Sequence, residues 1–567
     1  MAYQRDCHLT DLAANKPKTL HFALEFDGTA TPAKSALFLL VVLCWLLPGL
    51  VGHDPWKPQE AQTLGVVYGM LQSGDWLIPM LAGEPYLDKP PLYYWTAAFF
   101  AKGFSTLMPL HDGARLASGF FMVFAILLAT MTGAKLFGPR FGRVTALIFI
   151  GSFGLLVTAH MMSAETAIIA ATALVTYGLA WISSKPVVAG LLLGSGIGMA
   201  FLAKGSAAGA LALAMMLGPW LVFRAWRTRA FIVALGVAVV AALPWLLWWP
   251  LSLFARDPQI AMEWLWRYEI SDFADAFSAV TLGRFSYYVG LLPWYGWPAL
   301  PLVAVAFWYG RRQLLSDPKV QLLVGALLGA FIVICLTGSA SEVNALPVLL
   351  PLSLICASRI DELRRGTASA LDWFGMMTFG LLAGGLWLGW FALLFGFPES
   401  VVRYLHTYLP GYQLEFRVVS FVLALVLSLL WLISITRARQ SNRRAIVNWT
   451  AGITMFWMLA MTLWLPFIDE GKSYRTMVAS LKRALPNSVD CVASRGLGDS
   501  QRAVLDYFAG LRTRRLELLV TNDCGYMLTQ SVQSAPIVED QTEWRMMWEG
   551  ARPGDKVELF RLYQRLK

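Results

Sequence analysis

Long apolar stretches, separated by short polar segments, make up most of the chain between residues 36 and 468. Each stretch is about 20 residues long, the length at which an α-helix crosses the hydrocarbon core of a bilayer. The pattern therefore predicts a multi-span α-helical membrane protein. A soluble all-helical protein of this size is excluded, because it would need far more polar residues to cover its surface.

Thirteen membrane-spanning helices are predicted, with a first outer loop at 53–113. Their approximate bounds are 36–52, 114–137, 143–162, 165–183, 187–203, 206–223, 230–253, 286–308, 319–338, 344–358, 371–396, 416–436 and 446–466. An odd number of spans places the two ends of the chain on opposite sides of the membrane.

One ambiguous segment, "PPLYYWTAAFFAKGFSTLMPL" at 90–110, decides this count. Basic residues are enriched in the cytoplasmic loops of membrane proteins. If 90–110 spanned the membrane, the cluster of Lys135, Arg140 and Arg143 and every later basic loop would fall outside. We therefore expect this segment to lie as a helix in the outer interface, with its aromatic rings at headgroup level.

Both ends of the chain are polar. Residues 1–35 predict a short cytoplasmic tail, not a cleaved signal peptide. In residues 469–567, "VDCVASR", "RLELLVTN" and "KVELFRLYQRL" predict strands and "GDSQRAVLDYFAGL" predicts a helix. We expect a small α/β domain on the outer, periplasmic face. Its Cys491 and Cys524 could form a disulfide or remain two separate buried thiols.

Composition supports a membrane protein and narrows the kinds of partner. The chain is 57% hydrophobic and 14% charged, its mean hydropathy is +0.55, and its formal net charge is +10. In a membrane protein a basic excess indicates cytoplasmic loops and anionic lipid headgroups, not nucleic acid. The sequence has no Gly-rich phosphate loop, no paired CxxC and no HExxH motif, so it gives no reason to expect a nucleotide or zinc site.

Ionisable residues cluster at the predicted outer ends of the spans, where they are costly unless they are paired or used. These loops are far apart in sequence but share one membrane face, which makes that face the predicted functional site. The residues are His53, Asp54, Lys57, Glu60, Glu84, Asp88, Lys89, His160, Glu165, Lys204, Arg256, Glu263, Arg267, Glu269 and Asp272.

The first outer loop holds the most specific pattern. Residues 59–73 have helical spacing, and Pro58 suits the start of a helix. Lys89 precedes two prolines, which restrict the backbone beside it. A rigidly held lysine near carboxylates and aromatic rings suits a phosphate group at the membrane surface. The alternative is that Lys89 simply reaches lipid headgroups.

Three motifs of this loop, "DPWKPQEAQ", "SGDW" and "GEPYLDKPPLYYW", resemble the GT-C membrane glycosyltransferases of the protein O-mannosyltransferase and lipid A aminoarabinose transferase type. "GMAFLAKGSAAG" (198–209) is similar to the family's "LTKG" element, with Lys204 as its lysine. "LLPWYGWPALPL" (291–302) is similar to an aromatic, proline-rich span entry of the family. The resemblance covers approximately residues 36–360.

This resemblance implies an inverting glycosyltransferase in a bacterial inner membrane, which takes a sugar from a polyprenyl-phosphate donor and needs no cofactor. Its partners would be that donor, lipid A or another periplasmic acceptor, and membrane lipids. A divalent metal beside the carboxylates is compatible with this chemistry, but the spacing does not require one. We expect substrate contacts from Lys89, which the resemblance makes the ligand of the donor phosphate, and from Tyr86, Asp88, Lys204, Arg267 and Glu269.

Three positions depart from the family pattern. The family usually has Asp-Glu where this chain has Gln59 and Glu60, and a Gln side chain cannot accept a proton. Glu165 stands at the place of an acidic residue in the second outer loop. "SASEVNALP" (339–347) has Asn344, and no basic residue, where the family often has one.

Three interpretations of these departures remain open. In the first, Glu60, Glu165 or Asp54 supplies the acid–base group and catalysis is intact, with Gln59 at the reacting centre. In the second, an acceptor phosphate oxygen is already anionic and needs only positioning. In the third, the chain has lost transfer activity and binds polyprenyl-phosphate lipid as an accessory protein. A transporter is disfavoured because no internal repeat is visible.

Overall fold

The computed structural model describes residues 32–270, 281–336, 340–437, 442–486, 489–518, 523–532 and 543–566. Residues 1–31 of the predicted cytoplasmic tail, and Asp272, one of the ionisable residues predicted at the outer face, lie outside the described residues.

Helices dominate the described chain. Those before residue 271 are α1 (Pro32–Leu46), α2 (Gln59–Ser73), α3 (Leu92–Gly103), α4 (Leu110–Phe137), α5 (Pro139–Ile150), α6 (Phe153–Thr158), α7 (Glu165–Leu179), α8 (Pro186–Lys204), α9 (Ser206–Val222), α10 (Arg229–Arg256), α11 (Pro258–Glu263) and the π-helix Trp264–Ile270. Those after residue 280 are α12 (Thr281–Tyr295), α13 (Ala299–Ser316), α14 (Pro318–Leu336), the 3-10 helix Glu342–Val348, α15 (Leu349–Arg359), α16 (Arg365–Phe395), α17 (Glu399–His406), α18 (Val418–Arg437), α19 (Asn442–Leu463), α20 (Leu465–Lys472), α21 (Arg475–Ala484) and α22 (Asp499–Ala509).

Eight of the described helices are long and apolar enough to cross a membrane, and a bent pair of helices raises this to nine if it counts as one span. Three shorter apolar helices, Lys34–Leu46, Glu165–Leu179 and Ser206–Val222, lie at other predicted spans. Twelve of the predicted spans overlap these helices, and the remaining one, 143–162, is divided between α5 and the short α6, with a break at Gly151 and Ser152. The chain is therefore a multi-pass membrane protein, and the total of thirteen spans stays a prediction.

The segment predicted as one span at 286–308 is not a straight helix. Its two parts, Gly283–Tyr295 and Ala299–Gly310, are bent by 100° relative to each other. Pro298 lies in the break, where its ring restricts the residue before it and its missing N–H cannot support a continuous helix. Hydropathy averaged over a window detects the apolar composition but not this change of direction.

The ambiguous segment 90–110 forms α3, which has 12 residues. At about 1.5 Å per residue this helix is roughly 18 Å long, too short for a hydrocarbon core of about 30 Å. This length agrees with the predicted position of the segment in the outer interface, which stays a prediction.

The small C-terminal α/β domain is confirmed. Its mixed five-stranded sheet has the order β4-β3-β5-β7-β6. β3 (Val492–Arg495) pairs in parallel with β4 (Thr513–Arg515) and with β5 (Tyr526–Val532). β7 (Glu558–Arg565) pairs antiparallel with β5 and with β6 (Trp544–Gly550). Strands β5 and β6 are missing from the sequence-based prediction.

The predicted strand "RLELLVTN" is wrong in its placement. β4 ends at Arg515, and the following Leu516–Leu518 is a 3-10 turn, while 519–522 lie outside the described residues. A short apolar run cannot by itself distinguish a strand from a helical turn. Nearby, Cys491 and Cys524 are joined in a disulfide that links the residues before β3 to those before β5.

The first outer loop and the C-terminal domain lie on the same side of the helix bundle and pack against each other. The loop contributes α2 and a small hairpin, β1 (Met80–Leu81) with β2 (Glu84–Pro85). Gly65 of α2 lies against Ala503 of α22 so closely that a Cβ at position 65 would clash. The thirteen-span topology requires this arrangement, since it places both segments outside.

Candidate active site

The start of α2 is anchored by a buried carboxylate. Glu60 Oε1 accepts hydrogen bonds from Arg115 Nε at 2.8 Å and from the Met162 amide at 2.9 Å. Its Oε2 accepts one from the Trp56 amide at 3.0 Å. Both side chains of the Glu60–Arg115 pair are completely excluded from solvent. Glu60 thus joins α2, α4 and the turn before α7, and it does not face open space.

Electrostatics keep this carboxylate charged. Burial raises the pKa of Glu60, but the charge of Arg115 and the backbone hydrogen bonds outweigh burial. The pKa of Glu60 therefore lies below its usual value. A low pKa makes this carboxylate a weak proton acceptor at neutral pH, so its environment suits a structural role.

The turn that precedes α7 is held on its other side as well. Ser118 Oγ, from α4, donates a hydrogen bond to the Met161 carbonyl at 2.6 Å. Together with the hydrogen bond from the Met162 amide to Glu60, this contact fixes the backbone next to Glu165, the first residue of α7. The local fold thereby sets the position of the Glu165 carboxylate.

Glu165, Lys204 and Asn344 meet at one point. Lys204 Nζ donates hydrogen bonds to Glu165 Oε1 at 2.8 Å and to Asn344 Oδ1 at 3.0 Å. The three residues line a small cavity together with Leu211 and Pro347. The Glu165 side chain is 4% exposed, whereas that of Lys204 is 28% exposed. Lys204 is therefore the more exposed member of this ion pair.

A second carboxylate holds the chain immediately after Lys204. The Glu269 side chain accepts a hydrogen bond from the Ser206 amide at 2.7 Å, at the N-terminus of α9. It also packs against Gly205, whose φ of +77° and lack of a side chain permit this close approach. A negative charge at a helix N-terminus is favourable, because it meets free N–H groups and the positive end of the helix dipole. Glu269 thus steadies the end of α8 that carries Lys204.

Lys89 lies half-buried between β2 and α3, and its charge acts on Glu165. Within the described ranges, no carboxylate forms an ion pair with Lys89. Nearby, Tyr86 OH donates to Asp88 Oδ2 at 3.3 Å. Burial, followed by the charge of Asp88, raises the pKa of Tyr86, so its hydroxyl stays a neutral donor.

Asp54 belongs to the contact between the first loop and the C-terminal domain. Its carboxylate accepts hydrogen bonds from Ser473 Oγ at 2.6 Å and from Arg475 Nε at 2.8 Å, and it forms an ion pair with Arg475. Burial raises the pKa of Asp54, but the hydrogen bonds and the charge of Arg475 outweigh burial and bring the pKa below its usual value.

Two further ion-pair clusters join the same two parts of the chain. Lys57 Nζ lies 2.9 Å from Glu558 Oε1 on β7. Glu84 Oε1, in the hairpin, lies 2.7 Å from Arg502, and its Oε2 lies 3.1 Å from Arg515. Lys57 and Glu84 of the first loop therefore form ion pairs with the C-terminal domain.

Comparisons with known proteins agree with this architecture. Residues 88–248 match the dolichyl-phosphate-mannose-protein mannosyltransferase family. The undecaprenyl phosphate-alpha-4-amino-4-deoxy-L-arabinose arabinosyl transferase of Pseudomonas aeruginosa (strain UCBPP-PA14) is 31% identical over 360 residues, which are 61% of this chain and 63% of the relative. The protein of the same name from Edwardsiella ictaluri (strain 93-146) is 28% identical over 368 residues, covering 62% and 63%. Each match thus spans less than two thirds of the relative's length.

The solved structures are similar over nearly the whole chain. ArnT from Cupriavidus metallidurans bound to undecaprenyl phosphate has a TM-score of 0.63 and 15% sequence identity, covering 94% of this chain and 98% of that chain. Its apo form has a TM-score of 0.62 and 16% identity. This chain has the GT-C glycosyltransferase fold. The fold that the sequence resemblance implies is thereby confirmed.

Within the GT-C fold, the residues predicted for the site separate into two groups. Glu165 and Lys204 are in direct contact, Lys89 lies within electrostatic range of Glu165, and Glu269 holds the residue that follows Gly205.

Four predicted residues have other surroundings. Glu60 is enclosed by Arg115, and Asp54 binds Arg475, as described above. Arg267 forms an ion pair with Glu263 at 3.2 Å, and its side chain is 69% exposed. Gln59, the first residue of α2, is half-buried. The structure thus gives Glu165 a place beside reachable cations and gives Glu60 and Asp54 structural contacts.

Sequence reasoning did not select two members of this candidate site. Arg115, which binds Glu60, lies at the start of the predicted span 114–137, and a cation inside an apolar span is itself a signal that a partner exists. Asn344 was recognised only as a departure from the family, yet it accepts a hydrogen bond from Lys204. Among the described residues, no group of three or more His, Cys, Asp or Glu side chains is placed to hold a metal ion.

Proposed function

We propose that the chain transfers a sugar from a polyprenyl-phosphate donor to lipid A or another periplasmic acceptor, with inversion at the anomeric carbon. The names of the curated relatives, which specify undecaprenyl phosphate-linked aminoarabinose, support a donor of this class. The observation that carries the proposal is the cluster of Glu165, Lys204 and Asn344, with Lys89 nearby.

Lys89 and Lys204 supply the positive charge that a lipid-phosphate donor requires as its phosphate departs. In the transfer, an acceptor oxygen attacks the anomeric carbon, the bond from that carbon to the phosphate oxygen breaks, and its electron pair leaves with the phosphate. Preorganised cations stabilise this developing charge in a site that excludes water. Lys89, unpaired with any carboxylate in the described part of the chain, suits the donor phosphate, and Lys204 suits a second phosphate oxygen or the acceptor.

Proton transfer is the step in which this site differs from the family pattern. Gln59 is neutral, and Glu60 is enclosed by Arg115. Glu165 is the acidic residue beside the lysines, so it would accept the proton if the acceptor is a hydroxyl group. A phosphate acceptor needs no base, because its attacking oxygen already carries the charge.

We propose that the chain lies in the inner membrane with its N-terminus in the cytoplasm. Residues 36–468 would then form the membrane domain, and residues 469–567 would form a periplasmic domain. The packing of the first loop against the C-terminal domain supports a common outer side for both.

A second candidate function is the binding of polyprenyl-phosphate lipid without transfer. Gln59 favours it, because the usual acid is missing from the start of α2. The two functions share the phosphate contacts of Lys89 and differ only in turnover.

The proposed function can be tested with the full chain in proteoliposomes, supplied with undecaprenyl phosphate-linked aminoarabinose and lipid A. Lys89→Ala should weaken donor binding about 10- to 100-fold, the value of one or two charge-assisted hydrogen bonds. Lys102→Ala, which removes an exposed lysine from α3 in the same loop, is the matched control and should leave binding unchanged.

Glu165→Gln separates the candidate mechanisms. If Glu165 is the base, turnover should fall about 10²- to 10⁴-fold while donor binding is retained. Retained turnover would assign the reaction to an acceptor that needs no base. Donor binding by the unaltered chain with no product formed would establish the accessory function instead. Unchanged donor binding by Lys89→Ala would contradict both.

A further inference from the structure

A second cavity opens at the end of the bundle opposite the candidate active site. It has a volume of about 390 Å³ and is lined by Tyr309, Gly310, Arg359, Glu362 and Arg364, among others. The helical span Glu342–Glu362 runs between the two sites. Asn344, of the candidate active site, lies near one end of this span, and Arg359, which lines the second cavity, lies near the other. The cavity is therefore on the predicted cytoplasmic side.

An interruption in one helix accompanies this cavity. Gly310, in the last part of α13, has a non-helical backbone conformation, with φ of −136° and ψ of 24°. The helix changes direction there, because consecutive carbonyls and amides no longer follow a common axis. The cavity lies between this interruption and the end of α15, where Arg359 stands.

The two arginines of the cavity have different surroundings. Arg359 lies 2.9 Å from Glu362 and 3.8 Å from Asp317, so acidic neighbours compensate its charge. Its Nε is nevertheless buried without a hydrogen-bond partner among the described residues. The guanidinium of Arg364 is stacked over the Tyr309 ring at 3.9 Å from the centroid. No carboxylate of the described residues forms an ion pair with Arg364.

The surroundings of the cavity suit the acyl part of a lipid. Trp308 is 84% exposed and Tyr309 is 58% exposed, and both lie at the end of the apolar part of α13, Ala299–Gly310. Large aromatic side chains in such positions contact lipid at the level of the headgroups. A ligand in the cavity would therefore have its charged group at the arginines and apolar chains along α13.

We propose that this cavity binds the phosphate of an anionic phospholipid on the side opposite the candidate active site. A planar guanidinium can bind two phosphate oxygens at once, and stacking on Tyr309 fixes the plane of Arg364 for this contact. Basic pockets between membrane helices on the cytoplasmic side are suited to anionic headgroups. This inference does not depend on sugar transfer.

The test uses the full chain in lipid nanodiscs and counts retained lipids by native mass spectrometry. Nanodiscs that contain phosphatidylglycerol are compared with nanodiscs of phosphatidylcholine. Arg364→Ala should reduce the affinity for phosphatidylglycerol about 10-fold or more, since a hydrogen bond to a charged group is lost. Arg364 is exposed, so the variant retains its buried contacts.

Arg227→Ala is the matched control. Arg227 also lies over an aromatic ring, that of Trp220 at 5.8 Å, but it is outside the cavity. An equal loss of affinity in Arg227→Ala and Arg364→Ala would show that general surface charge attracts the lipid, and it would overturn the proposal. Equal retention of both lipids by the unaltered chain would also overturn it.

Soluble glycerol phosphate distinguishes a lipid site from a site for free phosphate esters. If the site is built for a lipid, glycerol phosphate at millimolar concentration should leave phosphatidylglycerol binding unchanged. Full displacement of the lipid by glycerol phosphate would assign the cavity to a soluble ester and would overturn the lipid proposal. A Lys side chain in Arg364→Lys keeps the charge but loses the planar donor pair, and we expect it to recover only part of the affinity.

Discussion

Glu60 Oε1 and Arg115 Nε lie 2.8 Å apart, and neither side chain has any exposure to solvent. The carboxylate next to Gln59 therefore uses its charge to join α2 to α4. Glu165 and Lys204, in contrast, line a small cavity in which the Lys204 side chain is partly exposed. The Glu60–Arg115 pair should also contribute to the stability of the fold.

Arg115→Met should destabilise the protein by about 3–5 kcal/mol, because it leaves the Glu60 charge buried without its partner. The measurement is chemical or thermal unfolding of the full chain in detergent. Arg267→Ala removes one partner of an exposed ion pair and should change stability by less than about 1 kcal/mol. Equal stability of Arg115→Met and the unaltered chain would show that Glu60 does not depend on this pair.

Acid should loosen the contact between the first loop and the C-terminal domain. The pKa of Asp54 in the folded protein lies below its usual value, since the hydrogen bonds and charge of Arg475 outweigh burial. A group with a lowered folded pKa contributes stability that is present above its unfolded pKa and is lost as pH falls through the folded pKa. Proteolysis between pH 6 and pH 2 should therefore show easier cleavage of the C-terminal domain below about pH 4.

Asp54→Asn is the variant that checks this assignment. It should show weaker docking at neutral pH and a smaller change on acidification. Burial raises the pKa of Asp469 in the folded protein. Its contribution to stability therefore has the opposite pH dependence and is lost as pH rises through the folded pKa. Asp469→Asn should accordingly leave the acid-induced loosening in place. A pH response that is the same in Asp54→Asn as in the unaltered chain would refute the role of Asp54.

Loss of the disulfide should destabilise the C-terminal domain. Cys491 and Cys524 are 33 residues apart in the sequence, and closing a loop of this length typically contributes about 2–4 kcal/mol. Cys524→Ser should lower the unfolding temperature of this domain, and adding a reductant to that variant should have no further effect. Cys44→Ser, which removes a free thiol from α1, is the control and should preserve the response to reductant.

A reporter enzyme fused after residue 567 should show activity typical of the periplasm. This follows from an odd number of spans together with a cytoplasmic N-terminus. A second reporter within the basic loop near Arg227 should report the cytoplasm. A cytoplasmic result for the C-terminal fusion would contradict the thirteen-span topology and the interfacial position of α3.

Several features of the fold follow from local sequence. Apolar runs of about 20 residues predict the membrane helices, and β3, α22 and β7 are found where alternating or helical spacing indicates them. The predictions are weaker where two apolar segments meet at a break. Around Pro298 the composition of a span is present, yet the helices turn by 100°.

The candidate site shows the same limit of prediction from local sequence. Local sequence predicts that ionisable residues such as Glu165 and Lys204 lie on one membrane face, because each stands at the end of an apolar run. It does not predict that Lys204 binds both Glu165 and Asn344, or that Glu60 binds Arg115. These pairings join residues that are distant along the chain.

Sequence by itself therefore determines that this protein crosses the membrane many times, and that its charges gather at the ends of helices. Hydrophobicity and helical spacing act over one or two turns, so they can be read locally. Only the tertiary structure decides which carboxylate is enclosed, as Glu60 is, and which lies beside an accessible cation, as Glu165 does. The physical reason is that the cost of a buried charge depends on partners brought by other helices.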